Sequence, residues 1–178
     1  MKTLAIIYDG FEELEAIAPF ALLRRAKVNL DIASKTTSAT GCHNLTLDNL
    51  LPLSTINYKE YDCLILPGGP HYQELEKDEL ILTIIKHFMD NNKLTCAICA
   101  SPTIIGKLGY LENKNYTCFT ALNDDFKGTY HHQKVVVDGN LITARSADAA
   151  IDFAYEIIMY TAGEEVLKQV HERVYYEK

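Results

Sequence analysis

The chain has 178 residues, 48% of them hydrophobic, and a formal net charge of −7 at pH 7. This size suits one compact core, so we expect residues 1–178 to form a single domain. The scattered Lys and Arg residues argue against a nucleic-acid-binding surface and against a basic membrane-binding helix. No apolar run approaches the length needed to cross a membrane.

Cysteine usage and the first residues indicate the compartment. Five cysteines, an odd number at irregular spacing, do not form a disulfide framework. The first apolar stretch ends at Asp9 and Gly10, too early for a secretory signal peptide. We therefore expect a reduced, cytoplasmic protein.

Short apolar runs predict four core strands, because they do not alternate with polar residues and are typical of strands buried on both faces. These runs are Leu4–Tyr8, Val28–Ala33, Cys63–Leu66 and Leu94–Ile98. Helical periodicity predicts helices at about Glu12–Ala26, at Leu80–Met89, from Pro102 onward, at Ala147–Tyr160 and at Glu164–Val174. Strands that alternate with helices indicate an α/β fold with a doubly wound, mostly parallel sheet and helices on both faces.

Finer features of these elements are also predicted. Leu45–Leu47 suggests a small side hairpin, Tyr116–Phe119 a short strand, and residues 134–143 a hairpin that turns at Asp138-Gly139. The first helix should bury a stripe made of Leu14, Ile17, Ala18, Ala21 and Leu22.

Three loops follow the carboxyl ends of predicted strands, where ligands bind in doubly wound sheets. They are Asp9–Glu15, Pro67–His71 and Cys99–Pro102. We expect the functional site to form where these loops converge.

Cys99 falls at the sharp turn between a strand and a helix. Ser101 is a suitable N-cap, and Pro102 suits the first helical position. A thiolate beside a helix N-terminus is stabilised, so we expect a lowered pKa and a reactive sulfur at Cys99. The alternative is that Cys99 is a small buried hydrophobic residue, the commonest role of a free cysteine.

Cys96 and Cys99 form a CxxC pair, which suggests a redox disulfide or a metal site. Residues 95–98 are predicted to be extended, so these two side chains should point to opposite faces of the strand. Further ligands at suitable spacing are lacking, and we predict no metal.

Three glutamates crowd the start of the first helix. Interaction with the helix dipole is a sufficient explanation for Glu12 and Glu13. Glu15 lies at the edge of the predicted buried stripe, and a partly buried carboxyl has a raised pKa, which a nearby thiolate would raise further. Glu15 is therefore a candidate proton donor to sulfur, or an acid and base toward a bound substrate.

The segment Pro67-Gly68-Gly69-Pro70 lets the backbone approach the predicted crevice closely. A backbone N–H of this loop, paired with that of Ala100, could form an oxyanion hole, although an ordinary strand-ending turn is also a sufficient explanation. Of the six histidines, His71 is the best placed to approach Cys99 as a base. Neither GxGxxG nor a phosphate-binding loop is present, so no nucleotide cofactor is expected.

Taken together, three segments resemble the ThiJ/PfpI superfamily, and within it the branch of the Parkinson-disease protein deglycase and its bacterial relatives. They are Asp9-Gly10-Phe11-Glu12-Glu13-Leu14-Glu15, Leu66-Pro67-Gly68-Gly69, and Cys96-Ala97-Ile98-Cys99-Ala100-Ser101-Pro102-Thr103. Weaker matches include Leu23–Ala26 and Asp138–Arg145, so the resemblance covers essentially the whole chain.

The resemblance implies a flavodoxin-like fold and a homodimer that needs no cofactor. It makes Cys99 the nucleophilic, oxidisable cysteine and Glu15 its protonated partner, with the backbone at Gly69 and Ala100 forming an anion-binding pocket. It also puts Arg25 and His43 near the pocket or the dimer interface.

The chain departs from the family pattern at two places, Phe119 and Ser146-Ala147-Asp148-Ala149, which stands where the family has a GPGT-like turn before the last long helix. Phe119 stands where human-type relatives have a histidine near the nucleophile, which puts in doubt any mechanism that needs that base. The protease branch carries a histidine directly after the nucleophile, whereas this chain has Ala100. Peptidase activity is therefore disfavoured.

Two functions follow from the resemblance. The first is cofactor-independent chemistry of the glyoxalase or deglycase type on small reactive α-oxoaldehydes, with Cys99 as the nucleophile. The second is an oxidative-stress sensor or chaperone that uses Cys99 without turnover. The same pair of residues serves both, so the sequence leaves the choice open.

Overall fold

The computed structural model describes residues 1–175, and its central feature is a sheet of seven strands. Eleven strands occur in this part of the chain: β1 (Lys2–Ile6), β2 (Asn29–Ser34), β3 (Ser38–Thr40), β4 (Thr46–Asp48), β5 (Leu51–Pro52), β6 (Cys63–Leu66), β7 (Leu94–Ile98), β8 (Asn115–Tyr116), β9 (Thr129–Tyr130), β10 (Val135–Asp138) and β11 (Leu141–Ala144). The sheet order is β10-β11-β7-β6-β1-β2-β5, and every neighbouring pair is parallel except β10 with β11. The predicted fold class is confirmed.

Six α-helices cover the two faces of this sheet. They are α1 (Glu13–Arg25), α2 (Tyr72–Leu75), α3 (Glu79–Asp90), α4 (Pro102–Lys107), α5 (Ala150–Ala162) and α6 (Glu164–Val174). Helices α1, α5 and α6 share one apolar core with the sheet, and α3 and α4 share the other. The central strands β6 and β7 are buried along their whole length, as their uninterrupted apolar runs predict.

The predicted burial of α1 is only partly confirmed. Leu14 is 60% exposed and Ala21 is exposed, whereas Ala16, Phe20 and Leu23 form the inner stripe. The helix carries apolar residues on several sides, so hydropathy does not identify the face that packs against α5. Of the predicted stripe, Leu22 is buried and Ala18 is half-buried against the core, whereas Leu14 and Ala21 lie on the outer side of the helix.

Two smaller predictions need revision. The strand expected at Tyr116–Phe119 is only the two-residue β8, which pairs with β9 in a separate sheet. The hairpin of β10 and β11 is confirmed, but Asp138 pairs with Leu141, so its turn residues are Gly139 and Asn140. The side hairpin at Leu45–Leu47 exists as β3 and β4.

Candidate functional site

Cys99 lies on a sharp elbow between β7 and α4. Its φ angle is +64°, a left-handed conformation that is uncommon for a residue with a side chain. The backbone is held on both sides, since the Cys99 N–H donates to the Ala144 carbonyl at 2.9 Å and the Phe119 N–H donates to the Cys99 carbonyl at 2.7 Å. The thiol is half-buried, so the fold fixes this residue while leaving its sulfur accessible.

The loop at Pro67 is fastened to the elbow by one shared acceptor. The Pro67 carbonyl accepts hydrogen bonds from the Ser101 hydroxyl at 2.5 Å and from His71 Nε2 at 2.9 Å. Ser101 therefore does not cap α4 with its side chain as predicted, because its hydroxyl is used across the crevice. Pro102 does occupy the first turn of α4.

His71 does not present a free nitrogen to Cys99. Its Nδ1 accepts the Tyr8 N–H at 3.1 Å, and its Nε2 bonds to Pro67. The side chain is 2% exposed, and burial lowers its pKa to about 4. The predicted base role is thus not supported by the geometry, and His71 instead joins the ends of β1 and β6.

Glu15 brings a carboxyl from the first turn of α1 to the elbow. It is 1% exposed, and its Oε2 atom has no hydrogen-bond partner of ordinary geometry among residues 1–175. The surrounding groups are the Cys99 thiol and the Gly68 backbone N–H, in looser electrostatic contact. Burying a carboxyl oxygen without a full partner costs free energy, so Glu15 is a group whose burial is not explained by hydrogen bonding within the fold.

The two groups influence each other's protonation. Burial raises the pKa of Glu15 to about 7. Burial also raises the pKa of Cys99, the negative charge of an ionised Glu15 raises it further, and the amides of Ala100 and Gly69 lower it. The pair therefore loses the first of its two protons as the pH rises through about 7, and the proton that remains is held by the thiol.

The predicted lowering of the Cys99 pKa is wrong, because burial raises this pKa and the charge of Glu15 raises it further. That prediction considered only the helix terminus and left out both burial and the second negative charge.

Two glycines allow the loop to approach the pair. A Cβ atom on Gly68 would lie 2.3 Å from Glu15 Oε2 and 2.6 Å from the Cys99 Cβ. Gly69 has a φ of +101°, and a Cβ there would lie 2.4 Å from the Glu12 nitrogen. The N–H groups of Gly69 and Ala100 both act on the Cys99 sulfur, so the predicted pair of amide donors faces the reactive atom.

Glu13 is a residue whose role the sequence interpretation missed. It is 5% exposed and accepts the backbone N–H of His43 at 2.7 Å and that of Leu45 at 3.3 Å. Its Oε2 atom receives His43 Nδ1 at 2.9 Å. Burial opposes ionisation, but the bonds from His43 and Leu45 lower the pKa of Glu13 to about 2. The partners lie about thirty residues away, so no local pattern reveals them.

The remaining predicted pocket residues are not all at the elbow. The His43 side chain is paired with Glu13, two positions from Glu15. Phe119 is 42% exposed and touches the site through its backbone. Arg25 is the last residue of α1, roughly 15 Å along the helix axis from Glu15, so one chain does not bring it to Cys99.

These features define a class of α/β protein with a cysteine on a strand-to-helix elbow and a buried glutamate beside it. The sequence profile of the DJ-1/PfpI family matches residues 1–160, and the chain belongs to this family. It contains no helix, within the part that the structure describes, that is long and apolar enough to cross a membrane.

Individual relatives agree with this assignment. A deglycase of Thermococcus kodakarensis is 31% identical over 149 residues, which is 82% of this chain and 90% of the relative. Protein DJ-1 homolog B of Arabidopsis thaliana is 36% identical over 92% of this chain, but the chain spans only 39% of that protein. The crystal structure of Drosophila melanogaster DJ-1beta is similar with a TM-score of 0.92, at 26% identity and 100% coverage of both chains.

Proposed function

We propose that this protein acts on small reactive α-oxoaldehydes through Cys99 and Glu15, without a cofactor. The observation that carries the proposal is the buried carboxyl of Glu15, whose Oε2 has no hydrogen-bond partner of ordinary geometry, beside the thiol of Cys99. The deglycase name of several relatives, each about 30% identical over most of its length, supports the same reaction class.

The chemistry begins with addition of sulfur to the aldehyde carbon of a substrate such as methylglyoxal. Glu15 as carboxylate takes the thiol proton while the C–S bond forms, and the carbonyl electron pair moves to oxygen. The N–H groups of Gly69 and Ala100 stabilise the oxyanion. The proton passes from Glu15 to this oxygen, which gives a hemithioacetal and returns Glu15 to its ionised form.

Glu15 then moves a second proton between adjacent carbons. It removes the proton of the former aldehyde carbon to give an enediolate and returns this proton to the neighbouring carbon. The hydroxyl proton on the first oxygen passes to the second oxygen, which gives a hydroxyacyl thioester on Cys99. Water hydrolyses the thioester, which releases the hydroxy acid and restores the thiol. The net reaction is addition of one water to methylglyoxal to give lactate.

Replacing the nucleophile tests this mechanism directly. Cys99→Ala should abolish conversion of methylglyoxal to lactate, since no covalent intermediate can form, and a lactate assay over a panel of aldehydes measures this. Cys42→Ser is a matched control, because this exposed thiol lies outside the proposed mechanism. Wild-type turnover by Cys99→Ala would exclude the mechanism.

A second candidate function is an oxidative-stress sensor or holdase chaperone that does not turn over substrate. The half-buried thiol of Cys99 favours it, because peroxide can reach the sulfur and the protonated Glu15 can donate to a sulfinate. Oxidation by two peroxide molecules adds two oxygen atoms and releases two waters. A mass increase that is absent from Cys99→Ala, in a protein inactive on every aldehyde, would favour this function over the first.

We also propose that two copies of the chain associate through the outer face of α1. Leu14 is 60% exposed, and a groove of about 510 Å³ on the same helix is lined in part by Ile17, Ala21 and Leu47. A two-fold contact would cover this apolar surface on both copies. Light scattering should give twice the chain mass for wild type and a lower mass for Leu14→Glu. An unchanged mass in this variant would contradict the proposed interface.

A cytoplasmic location is part of the same proposal. The reaction needs a reduced Cys99, and all five cysteines are free thiols, as in proteins of reducing compartments. Cell fractionation with a specific antibody should find the protein in the soluble cytoplasmic fraction. Recovery from an oxidising compartment would contradict this location.

A further inference from the structure

A second cluster of reactive side chains lies beside the first turn of α1. Glu13, Cys42 and His43 direct one carboxylate oxygen, one thiol and one ring nitrogen toward each other. The distances are 2.9 Å from His43 Nδ1 to Glu13 Oε2, 3.3 Å from Cys42 Sγ to His43 Nδ1, and 3.6 Å from Cys42 Sγ to Glu13 Oε2. Oxygen, nitrogen and sulfur donors of these types are the usual ligands of zinc.

We propose that Glu13, Cys42 and His43 form a zinc(II) site that fastens the β3–β4 hairpin to α1. Tetrahedral zinc with ordinary bond lengths places nitrogen and oxygen ligands about 3.4 Å apart and sulfur about 3.6 Å from either. The observed triangle of atoms differs from this by about 0.5 Å at most. A zinc ion can therefore replace the two hydrogen atoms that now lie inside the triangle, with only small side-chain movements.

The ligands are positioned by bonds that the metal would not disturb. The other carboxylate oxygen of Glu13, Oε1, is held by the backbone N–H groups of His43 and Leu45, which leaves Oε2 directed at the cluster. Such bonds to the non-coordinating atoms of ligands orient a metal site. The Cys42 N–H donates to the Phe11 carbonyl at 2.9 Å, which ties the loop to the start of α1.

Gly41 is a second, independent sign of a closely fitted carboxylate. A Cβ at this position would lie 2.3 Å from Glu13 Oε1, so the hairpin reaches the carboxylate only because residue 41 lacks a side chain. The cluster is open on its outer side, where Cys42 and His43 are exposed. Water, or Glu12 Oε1 at 3.9 Å from His43 Nδ1, completes the tetrahedron.

The charge and proton balance of binding is simple. Zinc displaces the thiol proton of Cys42 and the Nδ1 proton of His43 to solvent, and the imidazole keeps its Nε2 proton. The thiolate, the carboxylate and the neutral ring then leave the occupied site with no net charge.

The test uses the full-length Cys99→Ala variant, so that zinc cannot bind at the elbow. Calorimetry with zinc chloride should give one site per chain, and added zinc should raise the melting temperature because the ion binds only the folded hairpin. Adding Cys42→Ser or His43→Gln should weaken binding by at least about 10–100-fold and remove the thermal shift. The metal-free melting curve of the Cys42→Ser variant should match that of the parent, because this residue is exposed. His43→Gln removes the bond to Glu13 and should melt lower, so its thermal shift with zinc is measured against its own metal-free curve.

Cobalt(II) provides a readout specific for sulfur ligation. Thiolate-to-cobalt charge-transfer absorption should appear in Cys99→Ala and disappear when Cys42→Ser is added. An absorption that survives Cys42→Ser, or the absence of zinc binding to Cys99→Ala, would overturn the proposal.

Discussion

Glu13 and Glu15 lie in the same turn of α1 and are almost equally buried, at 5% and 1% exposure, yet their chemistry is opposite. Glu13 receives bonds from the hairpin and keeps its charge, with a pKa lowered to about 2. Glu15 has an oxygen without an ordinary partner, and burial raises its pKa to about 7. Similar solvent exposure therefore does not give two carboxyls the same charge, because Glu15 lies deeper in the protein and Glu13 has more hydrogen-bond donors.

The largest expected difference between the two glutamates is catalytic. Glu15→Gln should lower kcat/KM for methylglyoxal by about 10²–10⁴, the usual contribution of a general acid and base, whereas Glu13→Gln should retain most of the activity. Wild-type activity should rise with pH through about 7, because Glu15 of the Cys99–Glu15 pair loses its proton in this range. This rise of activity with pH should be absent in Glu15→Gln. Equal losses of kcat/KM in Glu15→Gln and Glu13→Gln would contradict a catalytic difference between the two glutamates.

A pair of glycine substitutions tests the two regions separately while leaving both carboxyl groups in the sequence. Gly68→Ala inserts a Cβ 2.3 Å from Glu15 Oε2, so it should displace the reactive pair and reduce turnover strongly. Gly41→Ala inserts a Cβ 2.3 Å from Glu13 Oε1, so it should destabilise the hairpin by about 1–3 kcal/mol of overpacking and spare turnover. Lactate assays and urea unfolding measure both effects. A Gly41→Ala variant that loses turnover as strongly as Gly68→Ala would contradict this separation.

Stability should respond to pH with opposite signs at the two glutamates. The folded-state pKa of Glu15 is raised, so its contribution to stability is fully present below about 4.5 and is lost as the pH rises through about 7. Glu15→Gln should therefore increase the free energy of unfolding at pH 8, by at most about 3 kcal/mol, with little effect at pH 4.

The control for this prediction is Glu13→Gln. The folded-state pKa of Glu13 is lowered, so its contribution is present above about 4.5 and is lost as the pH falls through about 2. Glu13→Gln should accordingly destabilise the protein at neutral pH. Urea titrations at the two pH values measure both variants, and a Glu15→Gln variant that is less stable than wild type at pH 8 would contradict the assignment.

Much of the architecture could be predicted from the sequence because it follows from local periodicity. Helix α3 buries Ile81, Ile84, Ile85 and Phe88 as its spacing predicts, and β6 is found at the predicted residues. The position of Cys99 on an elbow follows from an apolar run that stops before Ser101 and Pro102. These are patterns that a single segment contains.

The rest depends on contacts between distant segments. Leu14 and Ala16 are equally plausible core residues until α5 packs against one side of α1. The bonds from His43 to Glu13 and the protonation of Cys99 depend on loops brought together by the sheet. Hydropathy and helix-dipole arguments contain no information about such partners. Of the two predictions that rested on them, the buried face of α1 was only partly confirmed and the lowered pKa of Cys99 was wrong.

The left-handed backbone at Cys99 implies that the side chain proposed to react lowers the thermal stability of the protein. A side chain in this conformation carries an energetic penalty that glycine would avoid. The Cys99→Gly variant, which lacks the sulfur, should therefore have a higher melting temperature than the wild-type protein. The surrounding sheet thus maintains an unfavourable backbone conformation that places the sulfur of Cys99 in the crevice.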